Sequence, residues 1–317
     1  PVAAVVAAEV DLGVVGVDTV LGYESGAGPG TGMILTPNGE ILTNNHVVQG
    51  ATRITVTIVS SGRSYRATVV GTDPTQDVAV LQLQGASGLT PITTASASSL
   101  SVGDQVVAIG NAGGTGGTPA VVTGAVTGLN QTITASDQGG GHSETLHGLI
   151  QTNAPIQPGD SGGPLANMAG KVVGINTAAA AGMRLSADAN VGFAIPVDQA
   201  QSIASNIEAG KASSTIHIGL PGFLGVAVAA SGRSGLGPGT GNGAVISSVI
   251  PGLPAAAAGM QPGDAITSVD GQPVSSSPSL TTLLGGHKPG DKVTVGWSDS
   301  SGGSHKATVT LATGPPD

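Results

Sequence analysis

A chain of 317 residues with a net charge of -9 and only ten Lys and Arg offers no basic face, so neither nucleic acid nor an anionic membrane surface is an expected partner. With 39% hydrophobic and 9% charged residues it is not a polyelectrolyte-type disordered chain, and its length fits two or three units that each bury a core. The absence of cysteine removes disulfides, thiolate metal sites and a Cys nucleophile, leaving oxygen or amine nucleophiles for covalent chemistry.

The apolar opening from Pro1 to Val10 lacks a basic n-region and meets Glu9 and Asp11 well short of the about 20 apolar residues that a membrane span needs. No membrane insertion is expected. A start at Pro1 rather than Met reads as a mature chain whose signal peptide has been removed, which implies a secreted or cell-envelope location. From Val14 to Ile195, short β-rich runs recur between glycine turns: Val14 to Val20, Gly32 to Leu35, Ile54 to Val59, Ala67 to Gly71, Val78 to Leu83, Gln105 to Ile109, Val121 to Leu129, Leu149 to Thr152, Val172 to Thr177 and Val191 to Ile195. This spacing fits barrels or a sandwich; two barrels is the reading taken, with the low-charge stretch from Gly85 to Val102 as the seam between them. Ala200, Ile203, Ala204 and Ile207 then recur at helical spacing, with Asp198 to cap the start and Gly210 to end the helix. The domains expected are therefore 1–210, a linker over 211–221 and a smaller α+β unit over 222–317. In that last unit Leu280, Leu283 and Leu284 share one face of a short helix from about Pro278, with Ser277 as its N-cap.

Gly159-Asp160-Ser161-Gly162-Gly163-Pro164 carries the most chemistry. A serine nucleophile needs an exposed hydroxyl on a tight turn whose amides face a developing oxyanion, and glycines permit that geometry. The amides of Gly159 and Ser161, with that of Asp160 beside them, are the expected oxyanion hole. The bland alternative is a glycine-rich hairpin. Serine also needs a base, and of the six histidines only His46 has supporting context, directly after the apolar run Ile41-Leu42-Thr43 where a strand end would project it into a cleft. His142 and His147 flank a glycine-rich loop, and His217, His287 and His305 lie in the linker or the second unit. The carboxylate that orients the base is expected at Asp77, at the mouth of the strand Val78-Ala79-Val80-Leu81, where an unpaired charge is costly. Asp73 is its rival, but Pro74 favours a solvated turn there. The order is His46, Asp77, Ser161, two from the first barrel and one from the second.

On these residues the chain resembles the HtrA (Deg) serine proteases, and most closely the secreted PepA-type members of mycobacteria. The resemblance runs from about Val14 to the C-terminus. It is carried by Gly30-Thr31-Gly32-Met33-Ile34, Leu42-Thr43-Asn44-Asn45-His46-Val47-Val48, Gln76-Asp77-Val78-Ala79-Val80-Leu81, Ala108-Ile109-Gly110-Asn111, Ile156 to Leu165, Val173-Gly174-Ile175-Asn176-Thr177 and Gly192-Phe193-Ala194-Ile195-Pro196. It implies a mainly β protein, a chymotrypsin-like double β-barrel protease domain followed by a PDZ domain, with no metal or organic cofactor.

Three departures bear on chemistry. Asp160 stands where many family members have Asn and matches the digestive proteases, in which that acid pairs with a freshly cut N-terminus, yet no Ile-Val-Gly-Gly is present to pair with it. Asn153 replaces a common Asp and Pro155 a common Ala, which alters the wall of the substrate pocket. Pro155, six residues before Ser161, occupies the place where trypsin-type enzymes hold the acid that binds Lys or Arg. With Pro155, Ile156, Ile175 and Asn176 assigned to the pocket, cleavage after small or medium apolar residues is expected.

In the second unit Phe223-Leu224-Gly225-Val226 looks like the carboxylate-binding loop of HtrA PDZ domains, with Leu280 and Leu284 lining the pocket for an apolar C-terminal side chain. The resemblance thus implies unfolded or misfolded polypeptides as substrates, peptide C-termini as ligands of the PDZ groove, and a homotrimer. An idle protease fold serving as a chaperone or peptide-binding protein is the alternative, and activation by a peptide in the PDZ groove is a third possibility.

Overall fold

A computed structural model describes residues 2–23, 27–114, 116–136, 143–177, 191–229 and 243–316. The chain divides into one unit over Pro1–Gly219 and a second over Leu220–Pro316.

The first unit holds two closed barrels. β1 (Val14–Val20), β2 (Ala27–Ile34), β3 (Glu40–Thr43), β4 (Arg53–Ile58), β5 (Ser64–Asp73) and β6 (Val78–Leu83) run in the order β5-β4-β1-β2-β3-β6, and the β5–β6 pairing closes the ring. β7 (Gln105–Gly110), β8 (Ala120–Ser136), β9 (Ser143–Thr152), β10 (Pro164–Asn167), β11 (Val172–Thr177) and β12 (Gly192–Pro196) close the second ring as β10-β11-β12-β9-β8-β7. In β1 the alternation is direct: Val15, Val17 and Thr19 are buried while Asp18 and Val20 are exposed, as one-sided burial requires. β6 departs from alternation, with Val78, Ala79, Val80 and Leu81 all buried, because α3 (Val197–Glu208) covers it from outside.

All ten of these expected strands are present, and β2, β5, β7, β8 and β9 are longer than the apolar runs. β3 is the strand end expected before His46, whereas β10 was not in that expectation, and neither were two helices. The helix α1 (Val2–Val10) buries Val6, Ala7 and Val10 in the main core, and α2 (Asn45–Val48) is a single turn. The expected cap of α3 needs correction. Pro196 occupies the N-cap, and Asp198 instead accepts from the Ala97 amide at 2.7 Å and the Ser96 hydroxyl at 3.1 Å, tying the helix to the seam between barrels. Gly210, at φ 67, ends the helix as expected.

The expected linker also needs correction. His217–Ile218 forms β13, paired with Gly71 and Thr72 of β5, and the Thr215 hydroxyl donates to Asp73 at 3.2 Å, so residues up to Gly219 belong to the first unit. Its two-residue strand is too short to show a period in the sequence.

The second unit has the path β15-β16-β17-β19-β20, built from Val226–Val228, Ala244–Val249, Ala265–Val269, Lys292–Ser298 and Ser304–Thr310. β18 (Gln272–Pro273) pairs with β17, and β14 (Gly222–Phe223) pairs with β21 (Ala312–Thr313). Two helices, α4 (Pro254–Ala257) and α5 (Ser277–Gly285), accompany the sheet. The α5 N-cap is Ser276, one residue before the expected Ser277, because Ser276 and Ser279 form a reciprocal capping box. Among the described residues no helix is long and apolar enough to cross a membrane, and no cluster of His, Cys, Asp or Glu could hold a metal ion.

Candidate active site

His46 lies in the single turn α2 that follows β3, and Asp77 sits just before β6 in a left-handed conformation, φ 53, that ends a short 3₁₀ turn over Pro74–Gln76. That conformation is uncommon for a residue with a side chain, and here it aims the carboxylate at His46. The His46 Nδ1 lies 2.9 Å from Oδ2 and 3.0 Å from Oδ1 of Asp77, and the His46 amide donates to Oδ1 at 3.0 Å. A carboxylate only accepts, so Nδ1 carries a proton, and in the neutral form of the ring Nε2 is the basic nitrogen. The Asp77 side chain is fully buried, while that of His46 is 29% exposed. Asn44 Nδ2 fixes the Asp77 carbonyl at 2.9 Å, and the Thr177 hydroxyl from β11 donates to Oδ2 at 3.2 Å.

Thr177 was missed in the sequence because a threonine at a strand end carries no signal of its partner. Asp73, the rival acid, is buried but accepts from the hydroxyls of Thr75 and Thr215 and takes no part in this cluster.

Ser161 follows a tight turn in the second barrel. The Asp160 amide donates to Gln157 O at 3.0 Å across Pro158 and Gly159, and Gly159 has φ 99, which with proline before it makes a type II turn. Gly162, at φ 85, passes so close to Thr31 O that a Cβ there would collide with backbone. Ser161 O accepts from the Thr31 amide at 2.8 Å, and Gly162 N and Gly163 O bond Asn176 on β11 at 2.9 and 2.8 Å. The turn is thus held by both barrels.

The Asp160 amide must be struck from the expected oxyanion donors, because it closes this turn. Its side chain is 2% exposed: Oδ2 accepts from the Gln157 amide at 2.9 Å, and Oδ1 finds no hydrogen-bond partner among the described residues. Burial raises the Asp160 pKa above the ordinary carboxylate value, with the Gln157 amide opposing the shift.

The expected pocket is only partly assembled. Pro155 and Ile156 are half-buried, and Ile156 packs on the core of the second barrel. Ile175 and Asn176 are both 0% exposed, so the structure corrects their assignment to the pocket wall. Ile175 belongs to the main core, and Asn176 Nδ2 donates to Ile109 O and Pro164 O. Consecutive residues of a strand point to opposite faces, and β11 is buried on both, so neither side chain has surface left for a substrate. Asn153 Oδ1 accepts from the Ala125 amide of β8 at 2.7 Å. His147 contacts the Thr132 hydroxyl away from this cluster, and His142 lies outside the described residues.

In the second unit Gly225 has φ 85, and the carbonyls of Leu224 and Gly225 are taken inward by the amides of Ala255 and Ile250, each at 2.9 Å. The bond from Ile250 to Gly225 makes Val226 and Val249 a non-hydrogen-bonded pair, so the N–H and C=O of Val226 point away from β16. Among the described residues β15 pairs with β16 alone, so its other side is an open edge. Leu224 and Leu280, at 1% and 3% exposure, are spent in the core, which corrects their place in the groove; Phe223, Val226 and Leu284 stay half-buried.

Two closed six-stranded barrels with a His–Asp pair on one and a serine turn on the other define a trypsin-like peptidase domain. Residues 30–175 match the family described as "Trypsin-like peptidase domain", and residues 222–298 match "PDZ domain". The chain belongs to the HtrA-type proteases. It is 31% identical to a solved "HtrA-type protease AlgW with tripeptide", covering 100% of this chain and 99% of that one with a TM-score of 0.55. It is 43% identical to "Serine protease PepD" of Mycobacterium tuberculosis, covering 96% of this chain and 65% of the relative. It is 37% identical to "Periplasmic pH-dependent serine endoprotease DegQ" of Escherichia coli, covering 85% and 56%. The chain therefore spans between about half and two thirds of the length of PepD and DegQ.

Proposed function

We propose that the chain is a serine endopeptidase that cleaves unfolded or misfolded polypeptides through an acyl-enzyme intermediate. The observation that carries this reading is the buried Asp77 carboxylate 2.9 Å from His46 Nδ1, which leaves Nε2 as the base. Nε2 takes the proton of the Ser161 hydroxyl as its oxygen attacks the scissile carbonyl, and Asp77 stabilises the imidazolium that forms. Nε2 then returns the proton to the departing amine, and water repeats the cycle on the acyl-enzyme. The amides of Gly159 and Ser161 hold the tetrahedral oxyanion. No cofactor enters the scheme.

Half-buried Pro155 and Ile156 favour small or medium apolar side chains before the cleaved bond. A peptide-library profile dominated by Arg or Lys overturns that part. In the second unit, the open edge of β15 and the outward Val226 amide favour a peptide C-terminus added as a strand, with Phe223, Gly225 and Leu284 around its last residue. Peptides with amidated C-termini that bind as tightly as free acids overturn it. Relatives described as periplasmic support an extracytoplasmic location, and the family resemblance supports a homotrimer.

Ser161→Ala tests the central reading. It should keep the fold while lowering casein hydrolysis by several orders of magnitude, on the order of 10^6 for a comparable triad. Hydrolysis by this variant at the parent rate ends the assignment. A parent that neither cleaves casein nor takes a fluorophosphonate label leaves the idle peptide-binding alternative.

A further inference from the structure

Thr31 sits on β2, is 1% exposed and takes no part in the His46–Asp77 pair, yet its polar groups converge on the serine turn. Its amide donates to Ser161 O at 2.8 Å. Its hydroxyl donates to Gly159 O at 2.7 Å and accepts from the Asn111 amide at 2.9 Å, while its carbonyl accepts from the Thr43 hydroxyl at 2.7 Å. A single side chain of the first barrel thus ties together two loops of the second.

Those two loops meet again at Pro158, whose carbonyl accepts from the Gly113 amide at 3.0 Å, and Gly114 N closes the 111–114 turn on Asn111 O at 2.8 Å. Both carbonyls flanking Gly159 are therefore anchored, one by Gly113 and the other by Thr31. The peptide bonds are trans, so each N–H points opposite its own C=O. Anchoring Pro158 O sets the direction of the Gly159 N–H. Anchoring Gly159 O stops rotation about a residue that, lacking Cβ, would otherwise turn freely. The Thr31 hydroxyl joins both restraints because Asn111, which opens the loop holding Pro158 O, donates to it.

We propose that Thr31 is a positioning residue for the oxyanion-binding amides. Its hydroxyl couples the 111–114 loop to the Gly159 carbonyl and keeps the Gly159 N–H aimed where a tetrahedral oxyanion develops. This inference rests on the peptidase reading above. Because the hydroxyl acts on a donor used most strongly in the transition state, its loss falls on kcat rather than on KM.

The test compares the parent with Thr31→Val, Thr31→Ala and Thr31→Ser in peptide hydrolysis, in affinity for a peptide boronate that forms a tetrahedral serine adduct, and in Tm. The valine variant should lose about 10- to 100-fold in kcat with KM within about twofold, below the loss from deleting a whole oxyanion donor. Boronate affinity should fall in step, and the serine variant should stay within about threefold of the parent. If the valine variant does not fold, alanine is expected to show the same split. Parent-like kcat in the folded valine or alanine variant, a rise in KM at constant kcat, or serine as impaired as valine would overturn the proposal. An inactive parent defeats the peptidase reading and this inference together, whereas an active parent with an equally active Thr31→Val defeats the inference alone.

Discussion

Two buried carboxylates, one on each barrel, are treated in opposite ways. Asp77, at 0% exposure, has both oxygens occupied, by the His46 amide, His46 Nδ1 and the Thr177 hydroxyl. Asp160, at 2% exposure, has one oxygen on the Gln157 amide and the other with no partner among the described residues. Burial is the same, and the supply of hydrogen-bond donors differs. The donors on Asp77 fix both of its oxygens against a neighbouring base, whereas burial with a single donor leaves Asp160 holding its proton more tightly than an ordinary carboxylate.

Of substitutions around the two carboxylates, one at Asp77 itself should cost the most activity. Asp77→Asn keeps the shape but offers His46 a competing donor and favours the wrong tautomer, so kcat should fall by about 10^4 with little change in fold. Steady-state kinetics checks this, and a loss under about tenfold would mean that Asp77 does not orient the base. A smaller effect is expected one bond further out. Thr177→Val removes the donor to Oδ2 and should cost about tenfold in kcat, equivalent to about 1.4 kcal/mol, with the acidic limb of the pH–rate profile displaced relative to the parent. A profile identical to the parent's would reduce Thr177 to packing.

The smallest effect sharpens the Asp160 side and appears in stability. Its raised pKa means that the folded chain binds the proton more tightly than the unfolded chain. This term favours the fold fully below the unfolded carboxylate pKa and is lost as pH rises through the raised value. Asp160→Asn keeps an acceptor for the Gln157 amide without a charge and should add about 1 kcal/mol at pH 7. The gain should vanish in acid, where the parent is itself neutral. Thermal melts across pH check this, and a variant less stable than the parent at pH 7 would show that the charge has a partner.

The strands were legible because β-branched residues alternate or cluster where a barrel has an inside, as in Val15, Val17 and Thr19. The His46–Asp77 contact was legible because each of the two lies in a string of residues whose order is itself informative. The strand β13 was not, since its period is shorter than any window. The pocket and groove assignments failed at Ile175, Asn176, Leu224 and Leu280 for one reason: an apolar or amide side chain reads the same whether it lines a cleft or fills a core.

Residue order alone carries the succession of the two barrels and the small α+β unit, and the glycines that the serine turn requires. Which group supports which is settled only by folding. Thr177 reaches Asp77 across 100 positions and Thr31 reaches Gly159 across 128. Asp160 is left short of donors in the same way. Hydrogen bonds are satisfied in space rather than along the chain, and packing one barrel on the other brings together groups whose sequence separation leaves no local trace.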